Sequence, residues 1–502
     1  MTRFPKSFAI TSLLILIFQV QGRTQENFRR MTLQESLKIA RERSIDALNA
    51  KQKFRVSFWA YRSFRSSYLP KLTATGTLPD ISRVIPPQPY QNPDGSYSYI
   101  PEQTISNIVN LSLQQKVGYT GGYISLNTGL SRFDNIQDST SKAITSYWTT
   151  PINISYSQPL FKFNQDKWDR TLKPLAYDQA KQQYLEDIEQ VSINTTTYFF
   201  NLLQALIDKK IADTNYSNYS LLFKITQGRY TMGTVAENDL LQFQLQYLQA
   251  KLAVENANLA LQDAIFRLRS FLRIQDTIPI IPVAPDKINF FIVDPSIAQS
   301  EAINNSSAWK DFDRRLIEAS MNVNMAKMNG RFDADLSAGF GYNQSASTLG
   351  NAYKNPLDQE LIHLQVTIPI VDWGTARGEI KQAESQQTIT KNQVAQDKID
   401  FAQQVYLDVM HFNLQKDQVE ISATADSVSK KSYMVTKNRY LIGKINDFQQ
   451  LYTAQINTDN AEKNYYSTLE NYWQRYFNLR KSTLYDFENH RPIMFNLEDV
   501  KP

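Results

Sequence analysis

Hydrophobic positions along this chain recur at two periods, and the switches between them mark its elements. Residues 32–67 follow the helical period, with Leu33, Leu37, Ala40, Ile45 and Leu48 on one face. Thr32 and Glu35 have capping-box spacing, and Pro70 follows the run. Residues 71–78 then alternate, with Leu72, Ala74, Gly76 and Leu78 on one side. A loop rich in proline and tyrosine follows, with Pro86-Pro87-Gln88-Pro89 and Asn92-Pro93-Asp94-Gly95. Val109, Leu111, Leu113 and Val117 alternate, as do Ile124, Leu126, Thr128 and Leu130. Residues 118–122 between them, with Gly118, Gly121 and Gly122, predict a hairpin turn. They are not a phosphate cradle, which needs a helix directly behind it. In residues 147–163, Trp148, Thr150, Ile152, Ile154 and Tyr156 point one way and Asn153, Ser155 and Ser157 the other.

The helical period returns at residue 165 and meets no reliable breaker between Pro174 and Gly233. Such a run makes a rod of order 100 Å at about 1.5 Å per residue. Gly233 is its expected stop and Asn238 or Asp239 the expected cap of the next helix. There Leu245, Leu252, Leu259 and Phe266 stand seven apart with Leu241 and Leu248 beside them, a coiled-coil seam. After a proline-rich linker, residues 276–295, a second series begins: a helix over 297–328, then Phe332, Ala334, Leu336, Ala338 and Phe340 alternating. A polar loop precedes Ile362, Leu364, Val366 and Ile368, which alternate against His363, Gln365 and Thr367, with Trp373 closing that strand. A long helix over 375–442, a turn at Gly443 and a helix over 447–484 complete the series, and an irregular charged tail ends the chain.

The two series are copies. Thr226-x-x-Arg229-Tyr230-x-x-Gly233 recurs as Thr436-x-x-Arg439-Tyr440-x-x-Gly443, 210 positions later. The same offset sets Gln158-Pro159-Leu160-Phe161 on Ile368-Pro369-Ile370-Val371, and Lys181 and Asp187 on Lys391 and Asp397. A constant offset of this kind is an internal duplication. It divides the chain into a leader (1–22), a first repeat (23–294), a second repeat (295–485) and a tail (486–502). The first copy carries a long insert between its strands. The extra hairpin around Gly121-Gly122 either adds strands to the sheet or folds back.

Composition narrows the class. The chain has no cysteine, which excludes disulfides, thiolate metal sites and thiol nucleophiles. Arg3, Lys6 and a short apolar run read as a secretory signal, and its removal takes the formal charge from +5 to +3. That balance implies no nucleic-acid partner. His363, His411 and His490 are scattered, without metal-ligand spacing, so neither an enzyme nor a metal site is expected. No later stretch reads as a transmembrane helix, so any membrane crossing falls to strands. Tyr147 and Trp148 at one end of a strand, with Phe161, Phe163 and Trp373 at the other ends, match interfacial aromatic girdles. An open sheet edge in lipid leaves backbone groups unpaired, so strands this few must be completed by further copies of the chain.

The order of elements, the two octads, Ser157-Gln158-Pro159-Leu160-Phe161 and Ile368-Pro369-Ile370-Val371-Asp372-Trp373-Gly374 resemble the TolC-like outer-membrane efflux proteins over roughly residues 31–485. The resemblance implies a homotrimer: a mostly helical chain with membrane strands, three copies sharing one outer-membrane β-barrel joined to an α-helical periplasmic barrel. It implies an export duct without cofactors, in outer-membrane lipid, working with a periplasmic adaptor and an inner-membrane pump of RND, ABC or MFS type. Small toxic compounds or secreted polypeptides are the cargoes of such ducts. It also implies adaptor contacts at Met232, Gly233 and Thr234 and at Ile442, Gly443 and Lys444. The acids some relatives carry six and nine positions after the second glycine are Gln449 and Tyr452 here. Two gate devices stay open: Tyr452 packing, or Asp239 pairing with Lys444. Ile445 and Asp447 complete the aperture candidates. A non-channel periplasmic coiled-coil protein is the rival reading from another class.

Overall fold

The computed structural model describes residues 28–85, 88–99, 102–136, 143–276, 278–285, 288–444 and 448–500. The expected leader lies outside the described residues. Eight α-helices and six long strands carry the fold: α1 (Leu33–Arg43), α2 (Ile45–Ser66), β1 (Lys71–Val84), β2 (Glu102–Val117), β3 (Gly122–Ile136), β4 (Ile144–Leu160), α3 (Gln165–Thr231), α4 (Glu237–Leu272), α5 (Pro295–Asn305), α6 (Ser307–Asn329), β5 (Asp333–Ala346), β6 (Leu357–Thr367), α7 (Thr375–Leu441) and α8 (Phe448–Thr483). The two long helices have 67 residues each and match across the duplication.

The chain forms two compact units, and each draws on both copies. One holds residues up to Gln52, Tyr184–Asn305 and Gln404–Met494; the other holds Lys53–Gln183, Ser306–Gln403 and the residues from Phe495 on. The sequence repeat is therefore not the unit of compactness. Long helices that leave one unit and continue in the other make the repeats interleave.

Among the described residues of the helical unit, two apolar clusters stand out. Met31, Ala40, Val191, Leu202, Leu268, Leu272 and Ile280 form one; Tyr219, Leu222, Phe243, Ala250, Tyr440, Phe448 and Leu451 form the other. Within the expected linker, Ile280–Val283 pairs in parallel with Arg29–Thr32, tying it to the start of the described chain. The expected single helices over 32–67 and 297–328 are each two, the second broken at Ser306, which is extended and caps α6. Ser44 adopts an extended conformation, and its hydroxyl accepts the Ala47 N–H at 3.1 Å, so the chain restarts a helix there. The cap of α4 also differs from expectation: Ala236 stands at the N-cap with no side-chain bond, and Asn238 and Asp239 fall inside the first turn.

The other unit holds a six-stranded antiparallel sheet in the order β6-β5-β4-β3-β2-β1. The predicted turn at residues 118–122 joins β2 to β3, with Gly121 at φ +80° and its N–H donating to the Val117 carbonyl. Within that unit Phe54 packs on Tyr177 and Phe495, and Phe312 on Trp309 and Phe401.

Candidate functional site

Two features in the two units are built for function rather than for filling a core. The first is the sheet. Residues directly opposite each other in a ladder point to the same face. One row across all six strands reads Leu72, Leu113, Leu126, Ile154, Phe340, Glu360. Tyr156 and Ile362 lie in the next row with Ala338, and Leu336 and Leu364 in the one after. The first row is apolar over five strands and ends on Glu360 at the β6 edge, yet Leu72, Leu113, Leu126, Ile154, Phe340, Ile362 and Leu364 are exposed, Ile362 to 82%. The opposite face reads Thr73, Ser112, Asn127, Asn153, Gly341, Gln359. Its side chains bond along the ladder: the Ser112 hydroxyl donates to Asn127 Oδ1 at 2.6 Å, the Ser125 and Ser155 hydroxyls are 2.6 Å apart, and Asn127 Nδ2 donates to Ser125. A soluble sheet buries its apolar face. This one uncovers it and satisfies its polar face, the inverse expected of a wall with lipid outside and water inside.

Small residues let the sheet close tightly. A Cβ on Gly341 would lie 2.5 Å from the Ile152 carbonyl oxygen, and one on Gly129 would meet Asn110. Gly341 sits where β4 and β5 shift register, so only glycine admits the partner backbone there.

Of the expected girdle residues, Tyr147, Trp148, Phe161 and Phe163 stand near the ends of β4. Tyr147 and Trp148 open β4, with Trp148 exposed. Phe161 follows its last residue and packs against Phe332 with ring centres 4.9 Å apart and the rings tilted, while Phe163 is half-buried. Trp373 is 95% exposed. It does not close a strand, since β6 ends at Thr367 and residues 368–373 lie outside it. Phe161 and Trp373 both take positive φ, 66° and 53°, where the chain turns from strand to helix. Asp372 caps that second corner, accepting the Gly374 and Ala376 N–H groups.

The second feature is the pair of helix tips. Gly233 and Gly443 take the left-handed conformation, at φ +71° and +73°. The Gly233 N–H donates to the Tyr230 carbonyl and the Thr234 N–H to that of Arg229; the Gly443 N–H donates to Tyr440 and the Lys444 N–H to Arg439. The two octads thus end their helices with one bonding pattern, the Schellman motif. A Cβ at either glycine would meet nothing within 4 Å, so the tips are open. Met232 and Ile442 beside them are exposed.

The two octads also meet. Arg229 of the first donates to the Leu441 carbonyl at 3.3 Å and lies 5.7 Å over the Tyr440 ring of the second. Thr226 is fully buried. Burial above all raises the Tyr440 hydroxyl pKa, and the nearby Asp239 carboxylate adds to it. No ion pair joins Asp239 to Lys444 among the described residues. Tyr452 stacks on Phe448 at 5.6 Å and lines a cleft of about 480 Å³ with Asn215, Tyr219 and Asp459. Burial pushes the Asp459 carboxyl above its ordinary range. Gln449 lies within reach of Thr453. Ile445 and Asp447 lie outside the described residues.

The sequence pattern of the outer membrane efflux proteins matches residues 122–272 and 315–483, more than half the chain. The chain belongs to the outer membrane efflux protein family. No curated protein matches the sequence. Among solved structures it is similar to the Campylobacter jejuni CmeC outer membrane channel, at 15% identity and a TM-score of 0.65, covering 93% of this chain and 88% of that one. A membrane protein from Pseudomonas aeruginosa is similar at 15% identity and 0.63, over 90% of each chain. The Vibrio cholerae outer membrane protein VceC is similar at 11% identity and 0.61, over 92% and 97%. As an outer membrane efflux protein it is a passive channel component and not an enzyme; it resides in the outer membrane with its helical portion in the periplasm.

The sequence shows the α4 seam but not that it is uncovered, and a second stripe, on α7, was missed. The stripe Leu241, Leu245, Leu248, Leu252, Leu259 and Phe266 is exposed in the chain, while Phe243, Ala250 and Ala264 of the same helix are buried. On α7, Leu407, Leu414, Ile421, Val428 and Val435 stand seven apart and are exposed too. That spacing is visible in the sequence, and only the exposure shows that both stripes lack a partner within the chain.

Proposed function

We propose that three copies of this chain close into one duct across the outer membrane, as the terminal component of an efflux system. The uncovered apolar face of the sheet carries this reading. Left in water, each large side chain on it forgoes roughly 1.5–3 kcal/mol of burial. The two edges, β1 and β6, are exposed along their length, and an open edge is not tolerated in lipid. Six is an even number of strands, so β6 of one copy and β1 of the next run antiparallel. The exposed stripes of α4 and α7 support the same closure, since apolar heptads at spacing seven bury against neighbouring helices.

A periplasmic adaptor docks at the open tips, on Met232, Gly233, Thr234, Ile442, Gly443 and Lys444, and couples the duct to an inner-membrane pump of RND, ABC or MFS type. The cargo is small toxic compounds. Tyr452, held on Phe448, supports a gate made by aromatic packing. A purely periplasmic coiled-coil protein accounts for the helices but leaves the sheet unexplained. Reconstitution in a planar bilayer tests the reading. Discrete conductance steps from a species of trimer mass are expected, and a protein that never conducts overturns it. A Gly443→Trp variant is expected to keep conductance and to lose export-dependent resistance in cells.

A further inference from the structure

The two copies contribute unequally to the sheet. The second supplies β5 and β6, and the first supplies four strands, because β2 and β3 are inserted between the counterparts of that pair. The inserted hairpin is no appendage. β2 and β3 pair without a register shift from Gln103↔Ile136 to Val117↔Gly122, and each also pairs with an original strand, β2 with β1 and β3 with β4. β1 and β4 do not pair with each other; the hairpin lies between them and makes the ladder continuous.

The hairpin also continues the chemistry of both faces. Leu111, Leu113 and Val109 on β2, and Ile124 and Leu126 on β3, fall in the apolar rows and are exposed. Ser112, Asn110, Asn127 and Ser125 fall in the polar rows. A hairpin packed over the sheet or turned into the periplasm would have no use for an apolar face in register with its neighbours.

Resting on the reading of a trimeric duct, we propose that the inserted hairpin is membrane wall, so that three copies close a barrel of eighteen strands rather than twelve. Barrel diameter grows roughly in proportion to strand number, so the lumen is about half as wide again as the hairpin-less chain would build, and belongs with porins that hold open aqueous channels. A hairpin adds two strands, which keeps the count per chain even and leaves the seam between β6 and β1 antiparallel. The middle rows that the hairpin turns toward that lumen are Gln114 with Ser125, Ser112 with Asn127 and Asn110 with Gly129. Over those rows the added wall is uncharged and polar.

The chain has no cysteine, so single cysteines report without background. Leu111→Cys and Leu126→Cys on the inserted hairpin, with Ile154→Cys and Phe340→Cys on original strands, are labelled with a fluorophore in liposomes whose lipid chains carry a brominated quencher. Asn110→Cys, on the polar face, is treated with a membrane-impermeant thiol reagent. All four apolar positions are expected to be quenched alike, and Asn110→Cys to react from water. Quenching at residues 154 and 340 without quenching at 111 and 126 overturns the eighteen-stranded wall and leaves the duct intact. Quenching at none of the four overturns the duct reading itself.

Discussion

Glu189 is 3% exposed and sits in a fork of Arg480, whose Nη2 and Nε donate to its two oxygens at 3.2 and 3.3 Å, with Arg41 at 3.4 Å. Arg480 Nη1 also reaches Asp486 at 2.8 Å, so the one guanidinium ties α3 to α8 and to the start of the tail. The tail was expected to be irregular; this contact, and the pairing of Tyr485–Asp486 with Arg491–Pro492, hold its first part down. A buried charge that loses its partner is costly. Arg480→Met is expected to lower stability by about 3–5 kcal/mol, read as a fall in thermal midpoint. Adding Glu189→Gln is expected to restore a good part of it. Nothing in the spacing of Glu189 and Arg480 announces this pair, because 291 positions separate them. The tip glycines are the opposite case: a glycine after Arg-Tyr, twice, was legible as a helix stop, and φ and the shared bonds agree.

At the scale of elements, periodicity placed the ends of the two 67-residue helices to within a residue or two but saw only part of several strands, reading 109–117 where the strand is Glu102–Val117, since period 2 and period 3.6 place side chains on faces whatever the partner. It failed where a local hydrogen bond outweighed the pattern, as at Ser44, and where the pattern outran the ladder, as at residues 368–373. It also could not tell a seam that is filled from one that waits. The leucine stripe of α4 has the spacing of a coiled coil, yet the chain buries Phe243 and Ala250 instead. Replacing Leu252 and Ile421 together by lysine is therefore expected to leave the helical signal of the chain in detergent unchanged. The same variant is expected to lose the trimer, as measured by its mass in the detergent micelle. An unfolded variant would show that the stripes are internal core.

For the whole molecule, apolar surface left open in one chain has to be closed by another, so assembly and stability are linked. Whatever binds the folded chain and not the unfolded one raises apparent stability by mass action. The thermal midpoint in detergent is accordingly expected to rise with protein concentration, and that of the doubly lysine-substituted chain to be independent of it. Scanning calorimetry over a hundredfold range of concentration distinguishes the two.

Sequence alone determined the duplication, the order and type of the elements, the left-handed tips and the alternation that marks a membrane strand, because each is a property of neighbouring residues. Tertiary structure alone decided which compact units the two copies interleave into and which heptads remain uncovered. It also decided that the inserted hairpin joins the sheet instead of folding back. Those outcomes depend on pairing and burial between residues far apart in the chain, and local periodicity is the same whether or not a partner is there.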